Sequence, residues 1–304
     1  MYGYQVHAYP ILRCLPPIVE PFSAIRVDRN WALARDHGQS ALDQRRQKRV
    51  LLLGAGSLGS PIASTLSRAG IGTLQLVDIQ RMEPENVSRH RLGMGDIETA
   101  EASALAKQLP QQVPGLTVHG AVADARDWMA RHCAPGMFDL VIDCTAESSV
   151  RSFIANSRAT LLGDCPVVHA WSEPLCSAGH VVLSQLDDPW PADDPADDLV
   201  NASDLQARDT EVTLPACSAG FHPYGVADIE LVAAFCAERI IAVLDDVEPR
   251  ALVWSWVRSS AYFAELPFRA TLRPIVPVTN SKFDSVTMCR PLVEVVGSND
   301  RCGG

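Results

Sequence analysis

The stretch VLLLGAGSLG, residues 50–59, decides the fold of this 304-residue chain. Its apolar run ends at Gly54, and further glycines stand at Gly56 and Gly59 in the pattern Gly-x-Gly-x-x-Gly. Residues 60–68 then carry apolar side chains at helical spacing. A strand, a glycine loop and a helix in this order predict a nucleotide site: the first glycine makes a tight turn, the second admits a ligand to the backbone, and the third lets the helix pack against the strand.

A carboxylate follows the second strand of the same unit. Residues 73–77 form a predicted strand that ends at Asp78, about 20 residues beyond the glycine loop, where an acidic side chain can accept hydrogen bonds from ribose hydroxyls. The N–H groups at the start of the first helix, around Ser57 and Leu58, favour a phosphate. These features indicate a nucleotide and leave NAD, FAD and ATP open.

Strands and helices alternate along most of the chain. This alternation predicts an α/β fold with a Rossmann-like, doubly wound and mostly parallel sheet. The predicted strands cover residues 50–53, 73–77, 116–121, 139–142, 166–170 and 180–183, and the predicted helices cover residues 60–68, 98–109, 126–133, 148–162 and 226–244.

Changes in composition divide the chain into three parts. We expect an N-terminal extension over residues 1–46, a nucleotide-binding domain over residues 47–245, and a β-rich C-terminal α+β appendage over residues 246–304. A helix interrupted at Gly38 is predicted within the extension. Residues 186–204 are rich in Pro and Asp and show no apolar period, which predicts a mobile loop or a crossing segment.

Composition excludes several classes of function. The formal net charge of −10 argues against a nucleic-acid partner, and no apolar stretch is long enough to predict a membrane span. The first residues lack the pattern of a secretory signal, so we expect a cytoplasmic location. The nine cysteines include no Cys-x-x-Cys pair, which argues against a disulfide scaffold and a structural zinc site.

The segment after the second strand carries a more specific pattern. Asp78, Asn86 and Arg89 follow one another at spacings of eight and three residues. With the glycine loop and the run FDLVIDCT, residues 138–145, this pattern resembles the ThiF/MoeB and ubiquitin-activating enzyme family over about residues 49–245. An amide and a guanidinium suit a triphosphate, so the resemblance favours ATP.

The resemblance implies an ATP-dependent adenylyltransferase. In that family the C-terminal glycine carboxylate of a ubiquitin-like or sulfur-carrier protein attacks the α-phosphorus of MgATP, and pyrophosphate leaves. By this resemblance Asp78 would bind the ribose, and Asn86 and Arg89 would contact phosphates. The glycine loop would cradle the nucleotide through Gly54, Gly56, Ser57, Leu58 and Gly59.

Two positions depart from the family pattern. Glu101 stands where a phosphate-binding lysine is expected, and Ala146 replaces a metal-associated aspartate. Asp143 and Glu147 are the alternative Mg²⁺ ligands, because this ion requires hard oxygen donors.

The resemblance also implies a second step and a partner subunit. Cys217 would receive the activated acyl group as a thioester, before transfer to a conjugating-enzyme-like or sulfur-accepting partner. A nearby helix N-terminus or His222 could lower the pKa of the Cys217 thiol. An N-terminal arginine of a neighbouring subunit would reach the triphosphate, so a homodimer is expected. The candidates are Arg35, which we favour, Arg45 and Arg46.

Two alternatives remain open. Glu101 and Ala146 suggest a nucleotide-binding scaffold that keeps the fold without the chemistry. The glycine loop and Asp78 alone would also suit an NAD(P)-dependent oxidoreductase.

Overall fold

The secondary structure follows the predicted alternation from residue 49 onward. A computed structural model describes residues 2–7, 18–35, 39–213, 220–221, 223–247 and 250–297. The strands are β1 (Tyr2–His7), β2 (Ile18–Ser23), β3 (Arg49–Leu53), β4 (Thr73–Val77), β5 (Thr117–Ala121), β6 (Leu140–Asp143), β7 (Val167–Ser172), β8 (Ala178–Ser184), β9 (Val212–Thr213), β10 (Gly220–Phe221), β11 (Leu252–Arg258) and β12 (Ser285–Pro291). The helices are α1 (Arg29–Ala32), α2 (Leu42–Arg45), α3 (Gly59–Arg68), α4 (Glu101–Gln108), α5 (Ala125–His132), α6 (Ser148–Leu161), α7 (Ala207–Thr210), α8 (Val226–Leu244), α9 (Ser260–Ala264) and α10 (Leu292–Val296).

An eight-stranded sheet lies at the centre, in the order β12-β11-β8-β7-β6-β3-β4-β5. The strands from β7 to β5 in this order run parallel, and β8, β11 and β12 continue the sheet with antiparallel pairing. The predicted Rossmann-like, mostly parallel sheet is therefore confirmed. Two short hairpins, β1 with β2 and β9 with β10, form separate pairs.

Helices cover both faces of the parallel strands. Along β3, Val50 and Leu52 belong to the core beneath α3, α4 and α8, whereas Leu51 and Leu53 belong to the core beneath α5 and α6. Strands buried on both faces need continuous apolar runs, which explains why β3 and β6 lack polar alternation. Within the described part of the chain, none of the helices combines the length and hydropathy of a membrane-spanning segment.

Helix α4 begins three residues later than the sequence predicts. Glu98 has a left-handed backbone with φ of 68°, and Ala100 pairs with Arg81 in an isolated β-bridge. Neither conformation is helical, so the helix starts at Glu101. Long-range pairing, which the local pattern does not reveal, therefore sets this boundary.

The C-terminal strands extend the central sheet. β11 pairs antiparallel with β8 along its length, with Trp254 opposite Val181, and β12 pairs with the other edge of β11. The predicted β-rich part of the chain therefore contributes two further strands, β11 and β12, to the central sheet. The domain boundaries at residues 46 and 245 remain predictions.

The acidic segment, residues 186–204, is packed against the sheet, as expected of a crossing segment and not of a mobile loop. Trp190 is 2% exposed and Val200 is fully buried. The Trp190 indole donates to an Asp194 carboxylate oxygen at 3.0 Å, and Arg151 of α6 donates to the same oxygen at 2.8 Å. The buried anchors are isolated among Pro and Asp residues, so no sequence period reveals them.

A buried polar network holds the end of the acidic segment. The Glu173 carboxylate accepts hydrogen bonds from the backbone N–H groups of Ala202 and Ser203. His180 of β8 lies 2.8 Å from Glu173 through Nε2 and 2.9 Å from the Ser255 hydroxyl through Nδ1. Every member is almost completely buried and hydrogen-bonded, which makes this a structural network inside the fold.

We expect the buried ion pair between α2 and the end of α8 to stabilise the fold. The Arg45 guanidinium donates two hydrogen bonds of 2.6 Å to the Asp245 carboxylate, and the two side chains are 4% and 14% exposed. Arg45→Ala should lower the free energy of unfolding by about 3–5 kcal/mol in a urea titration, because Asp245 would stay buried without its partner. The matched control is Arg46→Ala, which breaks an exposed pair with Asp43 and should cost less than about 1 kcal/mol. Equal losses in the two variants would contradict the prediction.

Candidate nucleotide site

The first glycine of the loop has a backbone that other residues rarely adopt. Gly54 has φ of 83°, and a Cβ placed there would lie 2.9 Å from backbone atoms of Cys144 and Thr145, which follow β6. Its N–H donates to the Val77 carbonyl at 2.9 Å. The loop is therefore fitted between the carboxyl ends of β4 and β6, the edge where ligands bind in such sheets.

The other two glycines differ in the space around them, which is crowded at Gly59 and open at Gly56. A Cβ on Gly59 would lie 1.9 Å from the Gly54 carbonyl oxygen, so α3 can approach the loop only because this side chain is missing. A Cβ on Gly56 would find nothing closer than the Glu101 Oε2 atom at 4.0 Å. The space beside Gly56 is therefore open to a ligand, and its border is a carboxylate.

Asp78 is tied to the loop that it follows in the sheet. One carboxylate oxygen accepts the Ala55 N–H at 2.6 Å and the other accepts the Gln80 N–H at 2.7 Å. Burial raises the pKa of the Asp78 carboxyl, and these two backbone hydrogen bonds oppose the rise. Asp78 therefore stabilises the loop, and its proposed contact with a ribose uses the remaining lone pairs.

Two exposed apolar side chains lie beside Asp78. The Asp78 N–H donates to the Ala121 carbonyl at 3.1 Å, so Ile79 and Val122 each follow one of two adjacent strand ends. They are 63% and 51% exposed. An apolar surface next to the ribose position suits a planar base.

His90 and Glu101 complete the inner wall of the site. The His90 Nε2 atom lies 2.7 Å from the Ala55 carbonyl oxygen, and its Nδ1 atom accepts the Leu92 N–H at 2.9 Å. Glu101 Oε2 is 3.5 Å from His90 Nε2 and has no hydrogen-bond partner among the described residues. The residue that replaces the expected lysine thus points a carboxylate into the site.

Asn86 and Arg89 lie together at the other side of the loop. Asn86 ends a 3₁₀ turn, Pro84–Asn86, and its carbonyl accepts the N–H groups of Arg89 and His90, both at 2.9 Å. The Arg89 guanidinium lies over the Tyr224 ring, 4.6 Å from the ring centre. Arg89 is therefore positioned by a residue that is far away in sequence.

Tyr224 is a site residue that the sequence did not reveal. Its hydroxyl lies 2.7 Å from the Ser57 hydroxyl of the glycine loop, while its ring carries the Arg89 guanidinium. It precedes α8 at a position with no motif of its own, so only the folded chain shows this connection.

The predicted metal ligands follow β6. Asp143 accepts hydrogen bonds from the Thr145 N–H and hydroxyl through one oxygen, and its other oxygen is 2.9 Å from His169 Nδ1. Burial alone would raise the pKa of the Asp143 carboxyl, but the bonds from His169 and Thr145 outweigh it and lower this pKa. Glu147 is exposed. Among the described residues, no three His, Cys, Asp or Glu side chains come together as metal ligands, and the Mg²⁺ site stays a prediction.

Other predicted residues lie outside the site or outside the described chain. Cys217 and His222 fall outside the described residues. Of the three candidate N-terminal arginines, Arg45 pairs with Asp245 and Arg46 pairs with Asp43, whereas Arg35 is exposed.

The fold and the loop geometry define a nucleotide-binding α/β protein. Comparison with protein families then gives a more specific result: residues 27–267 match the model of the ThiF family. The match covers most of the chain, so this protein belongs to the ThiF family. The resemblance inferred from the sequence is confirmed.

Known relatives share a part of this chain. The ATP-dependent ubiquitin transferase-like protein Cap2 of Pseudomonas aeruginosa is 31% identical over 169 residues, which cover 54% of this chain and 29% of the relative. The adenylyltransferase and sulfurtransferase UBA4 of Yarrowia lipolytica is 33% identical over 138 residues, which cover 45% and 34%. The matched region thus spans about a third of the length of each relative.

Solved structures agree on the fold. The crystal structure of E. coli MccB with MccA-N7isoASN gives a TM-score of 0.55 at 14% identity, covering 83% of this chain and 75% of that one. E. coli MccB with ATP gives 0.53 at 14% identity, covering 73% and 67%. At such low identity the likeness establishes the architecture alone.

We expect the two glycines to respond differently to a methyl group. Gly59→Ala should lower the free energy of unfolding by more than about 4 kcal/mol or prevent folding, because the added methyl group would clash with the Gly54 backbone. Gly56→Ala should change stability by no more than about 1 kcal/mol, yet weaken nucleotide binding about ten-fold by filling the open space. Thermal melts and calorimetry with MgATP measure the two effects. Unchanged nucleotide affinity in Gly56→Ala would place the ligand elsewhere.

Proposed function

We propose that this chain is an ATP-dependent adenylyltransferase that activates the C-terminal glycine carboxylate of a ubiquitin-like or sulfur-carrier protein. The observation that carries the proposal is the Arg89 guanidinium, held beside the glycine loop by Tyr224. A cation at this place, next to open backbone at Gly56, suits the phosphates of a nucleotide. Membership of the ThiF family and the names of the relatives support the choice of ATP.

The proposed reaction depends on a correctly placed positive charge beside the phosphates and requires no acid–base catalysis by a side chain. A C-terminal carboxylate is ionised at neutral pH, so no side chain has to remove a proton. Its oxygen bonds to the α-phosphorus, the bond from that phosphorus to the bridging oxygen breaks, and pyrophosphate leaves with the electron pair. Arg89 would stabilise the negative charge on the phosphates as this happens.

Magnesium is part of the substrate in this proposal. Both Asp143 oxygens already have partners, Ala146 offers no oxygen ligand in its side chain, and Glu147 is exposed. This donor set does not fit a resident ion. We therefore propose that Mg²⁺ arrives bound to ATP.

The second step rests on the family resemblance. We propose that the Cys217 thiolate attacks the acyl carbon of the adenylate, AMP leaves, and a thioester forms before transfer to a conjugating-enzyme-like or sulfur-accepting partner. A carrier adduct that survives denaturation, is cleaved by thiols and disappears in Cys217→Ala is the expected result. An adduct that persists in Cys217→Ala would contradict this role. The homodimer and the cytoplasmic location likewise remain proposals.

A catalytically degenerate scaffold is the second candidate. Glu101 and Ala146 favour it, because a lysine and an aspartate are expected at these positions. It predicts ATP binding without turnover. Calorimetry with NAD and with MgATP distinguishes both candidates from an NAD(P)-dependent oxidoreductase, since an oxidoreductase should bind NAD more tightly than MgATP.

Pyrophosphate exchange into ATP tests the adenylation directly. The assay contains the protein, MgATP and a candidate carrier, a small protein that ends in glycine. Exchange should depend on that protein and fall about 100-fold or more in Arg89→Ala, because a charge contact with the phosphates is lost.

The control for this test is Arg91→Ala. Arg91 belongs to the same segment but pairs with Glu230 on α8, and both side chains are partly exposed. Its loss should leave exchange within about two-fold of the wild type. ATP binding with no exchange in the wild-type protein would support the scaffold instead.

A further inference from the structure

Glu101 is a buried carboxylate with an unused oxygen. The side chain is 1% exposed at the first residue of α4, and Oε2 has no hydrogen-bond partner among the described residues. A buried carboxylate oxygen without a donor is costly, because water that would solvate it has been removed. Such an atom in a binding site indicates a missing partner from the ligand.

The neighbouring histidine does not supply that donor. His90 Nδ1 accepts the Leu92 N–H, so the proton of the neutral ring is on Nε2. This Nε2–H is directed to the Ala55 carbonyl at 2.7 Å, while Glu101 Oε2 lies further away at 3.5 Å. The imidazole therefore has no second proton to offer Glu101.

Glu101 lies at the end of the site where Asp78 is proposed to bind the ribose. Its backbone N–H donates to the Gln80 carbonyl at 3.1 Å, and the Gln80 N–H donates to Asp78. Oε2 borders the open space beside Gly56. Asp78 and Glu101 thus approach the same part of the site from two segments.

We propose that Glu101 is a ribose contact, whose Oε2 accepts a hydrogen bond from a ribose hydroxyl of the bound nucleotide. A phosphate would meet a like charge here, whereas a hydroxyl provides the missing donor. A cation would need more oxygen ligands than the described residues bring together. The inference rests on the proposed nucleotide site. It gives Glu101 a role in nucleotide specificity, so that its replacement of the expected lysine is not simply a loss of function.

Deoxynucleotides test the contact. Calorimetry compares MgATP with its 2′-deoxy and 3′-deoxy analogues on wild-type protein, Glu101→Gln and Glu101→Ala. The wild type should bind ATP about 10–100-fold more tightly than the analogue that lacks the contacted hydroxyl, as expected for a hydrogen bond to a charged group. In Glu101→Ala this preference should fall below about three-fold.

The matched control is Glu98→Gln. Glu98 is an exposed glutamate in the same segment, so its loss should leave the hydroxyl preference unchanged. A second measurement uses the protein without nucleotide: Glu101→Gln should raise the melting temperature by about 2–4 °C, because a buried unpartnered charge is removed. Glu98→Gln should not.

Several outcomes would overturn the proposal. If the wild type binds ATP and both analogues equally, Glu101 does not contact a hydroxyl, while the proposed function stands. Tighter ATP binding in Glu101→Lys with an unchanged hydroxyl preference would show that Glu101 merely repels phosphate. Mn²⁺ binding to nucleotide-free protein that Glu101→Gln abolishes would identify a cation ligand. Failure of the wild type to bind any nucleotide would contradict both the proposed function and this contact.

Discussion

The site depends on how firmly Ala55 is held. Its N–H donates to the Asp78 carboxylate at 2.6 Å, and its carbonyl oxygen lies 2.7 Å from His90 Nε2. The N–H of Ala55 thus connects the glycine loop to the end of β4, and its carbonyl connects the loop to the segment that contains Arg89. Because these bonds are buried, each broken bond would leave an unsatisfied polar group. Because Asp78, the proposed ribose ligand, also holds the loop, a substitution of Asp78 should disturb both the loop and the proposed ribose contact.

Much of the fold could be predicted because it depends on local rules. Apolar runs without alternation indicated strands covered on both faces, and the glycine pattern at residues 54–59 indicated a turn where larger side chains would clash. The spacing of Asp78, Asn86 and Arg89 identified the family. Each of these signals lies within a short stretch of sequence, where spacing translates directly into geometry.

The remainder depends on contacts between distant residues. Tyr224 joins the site by packing on Arg89 and lying 2.7 Å from the Ser57 hydroxyl, and its place two residues after the candidate His222 indicates neither contact. Trp190 anchors an acidic segment whose composition suggests a mobile loop. For Glu101 the sequence showed a change of charge, but only the fold shows that the carboxylate is buried and that one of its oxygens has no donor in the described part of the chain. Burial, unlike periodicity, is a property of the whole chain.

The antiparallel end of the sheet limits how this protein can be shortened. All seven residues of β8 are buried, and β11 covers the edge of that strand. A fragment ending at residue 245 would keep the glycine loop and the parallel strands, yet it would present an uncovered, apolar strand edge to other molecules. Such an edge promotes aggregation. The strands that follow residue 245 therefore protect an edge that the proposed nucleotide-binding part of the chain would otherwise expose.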